Sequence, residues 1–130
     1  MTGRPADQAV DDVTRWLGMR LPASGVTELD VRPALFNPAG LVSGPVTMAL
    51  IDYAMATALW AHVTEDEDIA TTNISVNYLR SAREGRIRAT ATMDRRTARA
   101  ASLRAEVLHE DGTLMATAVG TFAIFARRGH

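Results

Sequence analysis

Gly44-Pro-Val-Thr-Met-Ala-Leu-Ile-Asp52-Tyr-Ala-Met-Ala-Thr-Ala-Leu-Trp60-Ala-His-Val63 is the stretch on which the fold turns. Pro45 suits a first helical turn, because the N–H it lacks would have had no intrahelical partner there. A helix over 45–63 is a rod of about 28 Å, apolar on every side through Met48, Leu50, Ile51, Ala54, Met55, Leu59 and Trp60. A helix without a polar face has to be enclosed by protein or lipid. Its one acid, Asp52, decides between them: a central carboxylate is expensive in a bilayer, so a core helix is expected and no membrane partner. In a core, an isolated charge costs several kcal/mol of effective solvation, on the order of magnitude, unless it is compensated or used. Asp52 is therefore the first candidate for chemistry.

The enclosure is written on both sides of that helix. Downstream, Ile74, Val76 and Tyr78 alternate with Asn73, Ser75 and Asn77, and Ile87, Ala89, Ala91 and Met93 alternate with Arg86, Arg88, Thr90 and Thr92. Ala101–His109 repeats the pattern, Asp111-Gly112 marks a hairpin turn, and Thr113–Phe125 returns as a long strand. Upstream, Val10, Val13, Trp16 and Leu17 recur at helical spacing and stop at Gly18, a helix within residues 1–18, and short strand-like pieces follow to Pro33. The order predicts one α+β domain over residues 1–130, with a four-stranded antiparallel meander over 72–125 curled around the 45–63 helix. The edges of such a sheet favour pairing with another copy, so a homodimer or a dimer of dimers is expected.

Composition narrows the function classes. Hydrophobic residues are 47% and charged residues 22%, as in a folded globular chain. With no cysteine there is no thiolate nucleophile, disulfide or Cys-held metal. His62, His109 and His130 show no ligand spacing, so neither a metal nor another cofactor is expected. The first residues carry charges and no apolar core of a secretory signal, which points to the cytoplasm. All fourteen basic residues are arginine, and eight of them lie between 80 and 104 against only Glu84 and Asp94. Most of these arginines read first as a solvated sheet face and its loops; guanidinium groups also bind phosphate bidentately, which makes Arg95, Arg96 and Arg99 candidates for a phosphate-bearing ligand. A net charge of −1 and the lack of interleaved aromatics argue against nucleic acid.

Asn37-Pro-Ala-Gly40-Leu-Val-Ser43-Gly44-Pro45, then Asp52 after a further stretch of helix, resembles the hotdog-fold acyl-CoA thioesterases, the group that includes the phenylacetyl-CoA thioesterases. Members typically show Asn-x-x-Gly-x-x-His-Gly-Gly before an Asp or Glu in a long central helix. Thr71-Thr-Asn-Ile-Ser-Val-Asn-Tyr78-Leu-Arg80 is similar to their strand ending in Tyr-Leu-Arg-Pro, and Glu106–Phe122 to their closing hairpin. Ser43 stands where His is usual and Pro45 where a second Gly is usual.

The resemblance implies a hotdog fold and hydrolysis of an acyl-CoA or acyl-carrier-protein thioester. It assigns Asp52 as general base or nucleophile, the Gly44 N–H as oxyanion donor, Asn37 beside the water or carbonyl, and Thr71 as the group that orients the water. Thr72 and Asn73 are one register slip away from that last role. Ser43 and Pro45 are then substrate contacts, and the site is shared across a dimer, since Gly44 and Asp52 stand about 12 Å apart along one helix. A hotdog module that binds such a ligand without turning it over is the alternative reading. A dehydratase on the same fold is weaker, because no His pairs with Asp52. Gly40-Leu-Val-Ser43-Gly44 is not a nucleophile elbow, which argues against a serine hydrolase.

Overall fold

A computed structural model describes residues 11–128. The chain runs α1 (Asp12–Leu17), β1 (Arg20–Ala23), β2 (Val26–Asp30), a 3₁₀ turn (Pro33–Leu35), α2 (Gly44–Trp60), β3 (Glu67–Tyr78), β4 (Arg86–Arg96), β5 (Ala100–His109) and β6 (Leu114–Ala126). Part of the helix expected within 1–18 falls before Asp11 and lies outside the described residues. What is described is capped at both ends. Asp11 accepts the Thr14 N–H at 2.8 Å while the Thr14 hydroxyl accepts the Asp11 N–H at 2.9 Å, and Gly18 closes the helix in the left-handed region at φ 72°.

The central helix ends at Trp60, three residues short of the expected Val63. The Arg96 guanidinium donates to the His62 carbonyl just beyond it. A cation from β4 therefore sits at the C-terminal end of the helix, where it suits the helix dipole.

Six antiparallel strands form one sheet in the order β1-β2-β4-β5-β6-β3. Of the four strands expected in the meander over 72–125, only β4, β5 and β6 follow one another as hairpins, so the simple meander is corrected. β3 does not lie beside β4; it crosses to the far edge and pairs with β6 from Glu67↔Ala126 to Tyr78↔Ala116, while β4 takes β2 as its other neighbour. Alternation along a strand reveals which side chains share a face, not which strand lies alongside. Placing β3 at the far edge lets the sheet reach both flanks of α2.

The concave face of the sheet is built from Ile87 and Ala89 on β4, Ala101, Leu103, Ala105 and Val107 on β5, and Ala116, Ala118, Phe122 and Ile124 on β6, all buried. They enclose Leu50, Ile51, Ala54, Met55 and Leu59, each fully buried. Small side chains here bring the helix close. At Gly120 an added Cβ would lie 2.7 Å from the Met55 sulfur and 3.2 Å from the Asn73 carbonyl oxygen, so any larger residue there requires Met55 to shift. Enclosure is incomplete: Pro45 is exposed, and Met48, Ala49, Asp52 and Ala56 are half-buried along the side of α2 facing away from the sheet. Among the described residues no helix is long and apolar enough to cross a membrane.

Candidate active site

The start of α2 leaves one backbone donor uncommitted. The Ser43 N–H donates to the Leu35 carbonyl at 2.9 Å, and the Ser43 carbonyl accepts from Val46 and Thr47 at 3.1 and 3.4 Å. That carbonyl points down the helix, and across a trans peptide the Gly44 N–H points the opposite way, out of the helix start. No acceptor among the described residues takes it. Pro45, in the next position, has no N–H to offer, so the turn presents a single outward donor backed by the positive end of the helix dipole. The Tyr78 hydroxyl donates to the Gly44 carbonyl at 3.1 Å and its ring lies over the glycine, fixing the turn from the end of β3.

Asp52 lies on the half-buried side of α2, and the Thr71 hydroxyl donates to its Oδ1 at 2.7 Å. A strict two-residue alternation through Ile74, Val76 and Tyr78 would have turned Thr72 toward the helix and Thr71 away. The pairing of β3 with β6 slips between Thr71↔Phe122 and Asn73↔Thr121, leaving Thr72 as the extra residue of a bulge. The Thr72 hydroxyl instead reaches the Thr121 carbonyl at 3.0 Å. The bulge inverts the phase of the strand, so Ile69 and Thr71 before it and Ile74, Val76 and Tyr78 after it all face the helix. It thereby brings Thr71 to Asp52 and turns Thr72 away.

Asn37 is committed to its own loop. Its Oδ1 accepts the N–H groups of Ala39 at 2.9 Å and Leu41 at 3.2 Å, while its backbone N–H donates to the Leu41 carbonyl at 2.7 Å. This ties off the turn that contains Gly40 at φ 79° and leads to Ser43. Its side-chain NH₂ is the part without a partner among the described residues. Ser43 is half-buried and makes no side-chain cap bond, so its hydroxyl stands beside the Gly44 N–H uncommitted.

The arginines divide into two groups. Arg88 and Arg86 lean on Glu28 at 2.6 and 3.8 Å, Arg104 on Asp94 at 2.9 Å, and Arg96 on Glu67 at 2.6 Å. These hold the sheet and the end of α2. Arg80, Arg83, Arg95 and Arg99 have no side-chain acid partner among the described residues. Arg95 and Arg99 flank the β4–β5 turn near the C-terminal end of α2, away from Gly44. Arg80 and Arg83 lie in the segment that runs alongside the Gly44 turn, where the Val42 N–H donates to the Ala82 carbonyl at 2.8 Å and the Ser81 hydroxyl to the Val42 carbonyl at 3.3 Å. Sequence reading passed over this pair because its nearness to Gly44 arises only from the β3–β4 connection.

Tyr53, next to Asp52, turns about 100° around the helix and anchors α1. Its hydroxyl donates to Asp11 Oδ2 at 2.6 Å. That bond, then the Thr14 N–H, holds the Asp11 carboxyl below its ordinary value, while burial and then the same bond push the Tyr53 hydroxyl up to about 12. At the other end of α1 the Arg32 guanidinium donates to the carbonyls of Trp16 and Leu17 and lies 5.3 Å from the centre of the Trp16 ring. Among the described residues no three metal-ligating side chains come together.

The arrangement supplies an acid held by a hydroxyl, one aimed backbone donor, and an uncovered apolar helix face between two flanks. Residues 39–116 match the model of the thioesterase superfamily. Among solved structures, a thioesterase of Haemophilus influenzae superposes with a TM-score of 0.88 at 20% identity, covering 96% of this chain and 90% of that one. A phenylacetic acid degradation-related protein of Ralstonia eutropha gives 0.79 at 28% identity, covering 88% and 90%. A Bacillus halodurans protein solved with CoA gives 0.85 at 18%, covering 92% and 79%. No curated protein matches the chain.

Proposed function

The chain belongs to the thioesterase superfamily and has the hotdog fold, and from that premise we propose that it hydrolyses a thioester of CoA or of an acyl carrier protein to the free acid and thiol. The observation that carries this is the pairing of Asp52 with Thr71, which leaves the second carboxylate oxygen available on the open side of α2. Asp52 takes a proton from water as the water oxygen attacks the carbonyl carbon, or attacks that carbon itself to give an anhydride that water then opens. In either route the carbonyl oxygen becomes an oxyanion received by the Gly44 N–H, the C–S bond breaks, and the thiolate leaves and is protonated. CoA as the carrier is supported by the CoA held in the Bacillus halodurans neighbour.

Asp52 and Gly44 lie too far apart on one helix to serve the same carbonyl, so the site draws on two copies. β3 is the natural seam: twelve residues long, it stands at an edge of the sheet with one side unpaired among the described residues. A two-fold pairing of β3 centred near Ile74 and Ser75 sets Thr71 of one copy against Tyr78 of the other. Asp52 of the first then faces Gly44 of the second. Asn37, through its free NH₂, and Ser43, through its hydroxyl, complete the second half-site, and Pro45 borders it. Of the unpaired arginines, we assign Arg80 and Arg83 to the CoA phosphates of a thioester held at Gly44, because their segment runs beside the Gly44 turn; Arg95 and Arg99, near the other end of α2, are the alternative contact.

Asp52→Asn, measured on a panel of acyl-CoAs beside its melting temperature, tests the reading. A loss of about 10²–10⁴ in turnover with the fold retained is expected; unchanged turnover removes Asp52 from the chemistry. Saturable acyl-CoA binding by the unmodified chain with no thiol released is the outcome that favours a binding module, the reading to which Ser43 and Pro45 lend weight.

A further inference from the structure

The described surface holds one almost wholly apolar groove, between α1 and the first turns of α2. Val13, Trp16 and Leu17 form one wall, Pro45, Val46 and Ala49 the other, and Asp12 alone is polar, at the rim. Its volume is about 590 Å³, within the range of roughly 300–1,000 Å³ typical of small-ligand sites. Val13 and Trp16 are 57% and 61% exposed, a large apolar area for a chain to leave wet beside its candidate site. Both ends of α1 are tied down, by Tyr53 at the N-cap and by Arg32 at the last turn, so the walls are held apart rather than free to close.

From these observations we infer that the groove receives the acyl chain of the thioester, with Trp16 covering it. The inference rests on the hydrolase reading above and adds the substrate class: an uncharged aliphatic acyl group longer than acetyl. Continuity with the site supports it, since Pro45 is at once a groove wall and the neighbour of the Gly44 donor. A carbonyl at Gly44 starts its chain at the groove's mouth. The lining offers nothing to the amides of pantetheine or to a nucleotide, which leaves the acyl end as the part that fits. A second copy of the chain is a poorer occupant, because the α1 wall of the groove is tied to Tyr53, while β3, the seam assigned to self-association, meets the helix at Asp52, about 100° around it.

Two measurements test this separately from turnover. In Trp60→Phe, Trp16 is the only indole, and S-alkyl-CoA thioethers carry chain and CoA but cannot be hydrolysed. Trp16 emission is expected to shift to the blue on binding, more so with longer chains and not with CoA alone. Hydrolysis by the unmodified chain is expected to rise in kcat/KM by up to about fourfold per added methylene while the chain fills the groove, the equivalent of ~0.8 kcal/mol per buried CH₂, and Trp16→Ala to flatten that slope. A silent Trp16 together with hydrolysis indifferent to chain length overturns the groove and leaves the hydrolase standing. A Trp16 response with no hydrolysis leaves the groove and removes the hydrolase. A change of oligomeric state in Trp16→Glu shows that the groove is covered by a second copy, which also overturns the proposal.

Discussion

The Thr71 hydroxyl meets the Asp52 carboxylate at 2.7 Å and so joins the edge strand of the sheet to the open side of the central helix. One oxygen of the acid is oriented by this bond, and the other is the one the proposed hydrolysis uses. Thr71→Ala is expected to lower kcat by up to about 10²-fold through loss of that orientation, with little change in KM, and Thr71→Ser to recover most of it. Equal kinetics for Thr71→Ala and the unmodified chain show that the bond is only structural.

A site drawn from two copies has a signature in mixtures. Asp52→Asn and Gly44→Ala each damage both sites of their own homodimer, the second because a methyl intrudes where the substrate approaches the N–H. The fold itself tolerates that methyl, whose nearest neighbour is the Tyr78 ring at 3.6 Å. After exchange of subunits, a mixed dimer carries one site with both lesions and one with neither. Mixing equal amounts is expected to restore about one quarter of full activity. Assays that stay at the level of the separate variants show that Asp52 and Gly44 do not act across an interface.

The arginines make a sorted prediction. Arg96 joins Glu67 and the His62 carbonyl, so Arg96→Ala is expected to lower the melting temperature. Arg80→Ala and Arg83→Ala, which break no acid pair among the described residues, are expected to raise KM for acyl-CoA and weaken its dependence on salt. They leave the melting point in place. A KM effect confined to Arg95→Ala and Arg99→Ala moves the phosphate contact to the far end of the helix.

The tie between α1 and α2 sets its own pH limits. The Asp11 carboxyl is held below its ordinary value, so the stabilisation is present above about pH 4 and lost as the pH falls through the folded value. The Tyr53 hydroxyl is raised to about 12, so at the alkaline side the stabilisation is present below about pH 10 and lost as the pH rises toward 12. Tyr53→Phe is expected to cost about 0.5–1 kcal/mol between those limits, discounted for exposure, to remove the dependence on the alkaline side, and to reduce it on the acid side, where the Thr14 N–H still holds the Asp11 carboxyl down. Thermal melts across pH that are identical for the two chains disprove the tie.

Much of this molecule is legible in its sequence, and the rest is illegible for definite reasons. The apolar run with Pro45 at its start is an enclosed helix under any reading, and the alternation around Ile87 or Leu103 declares its inward face. The spacing from Gly44 to Asp52 survives into the structure because a helix preserves spacing. What sequence cannot convey is adjacency between distant segments. That β3 crosses to β6 rather than pairing with β4, that Arg80 runs beside Val42, and that Arg96 reaches His62 all depend on how strands are ordered, which periodicity does not encode. The choice among Thr71, Thr72 and Asn73 was open for a sharper reason: the alternation on either side of the bulge is regular, and only its pairing with β6 exposes the break.

The bulge at Thr72 also bears on how related chains are aligned. A gap placed at this position removes no functional group, yet it inverts the parity of everything that precedes it in the strand and turns Thr71 away from Asp52. A relative with the same residues and one fewer between Thr71 and Ile74 keeps every letter of the site and loses its geometry. Length across 71–74 is therefore a better criterion than identity for expecting the contact of Thr71 with Asp52 in another sequence.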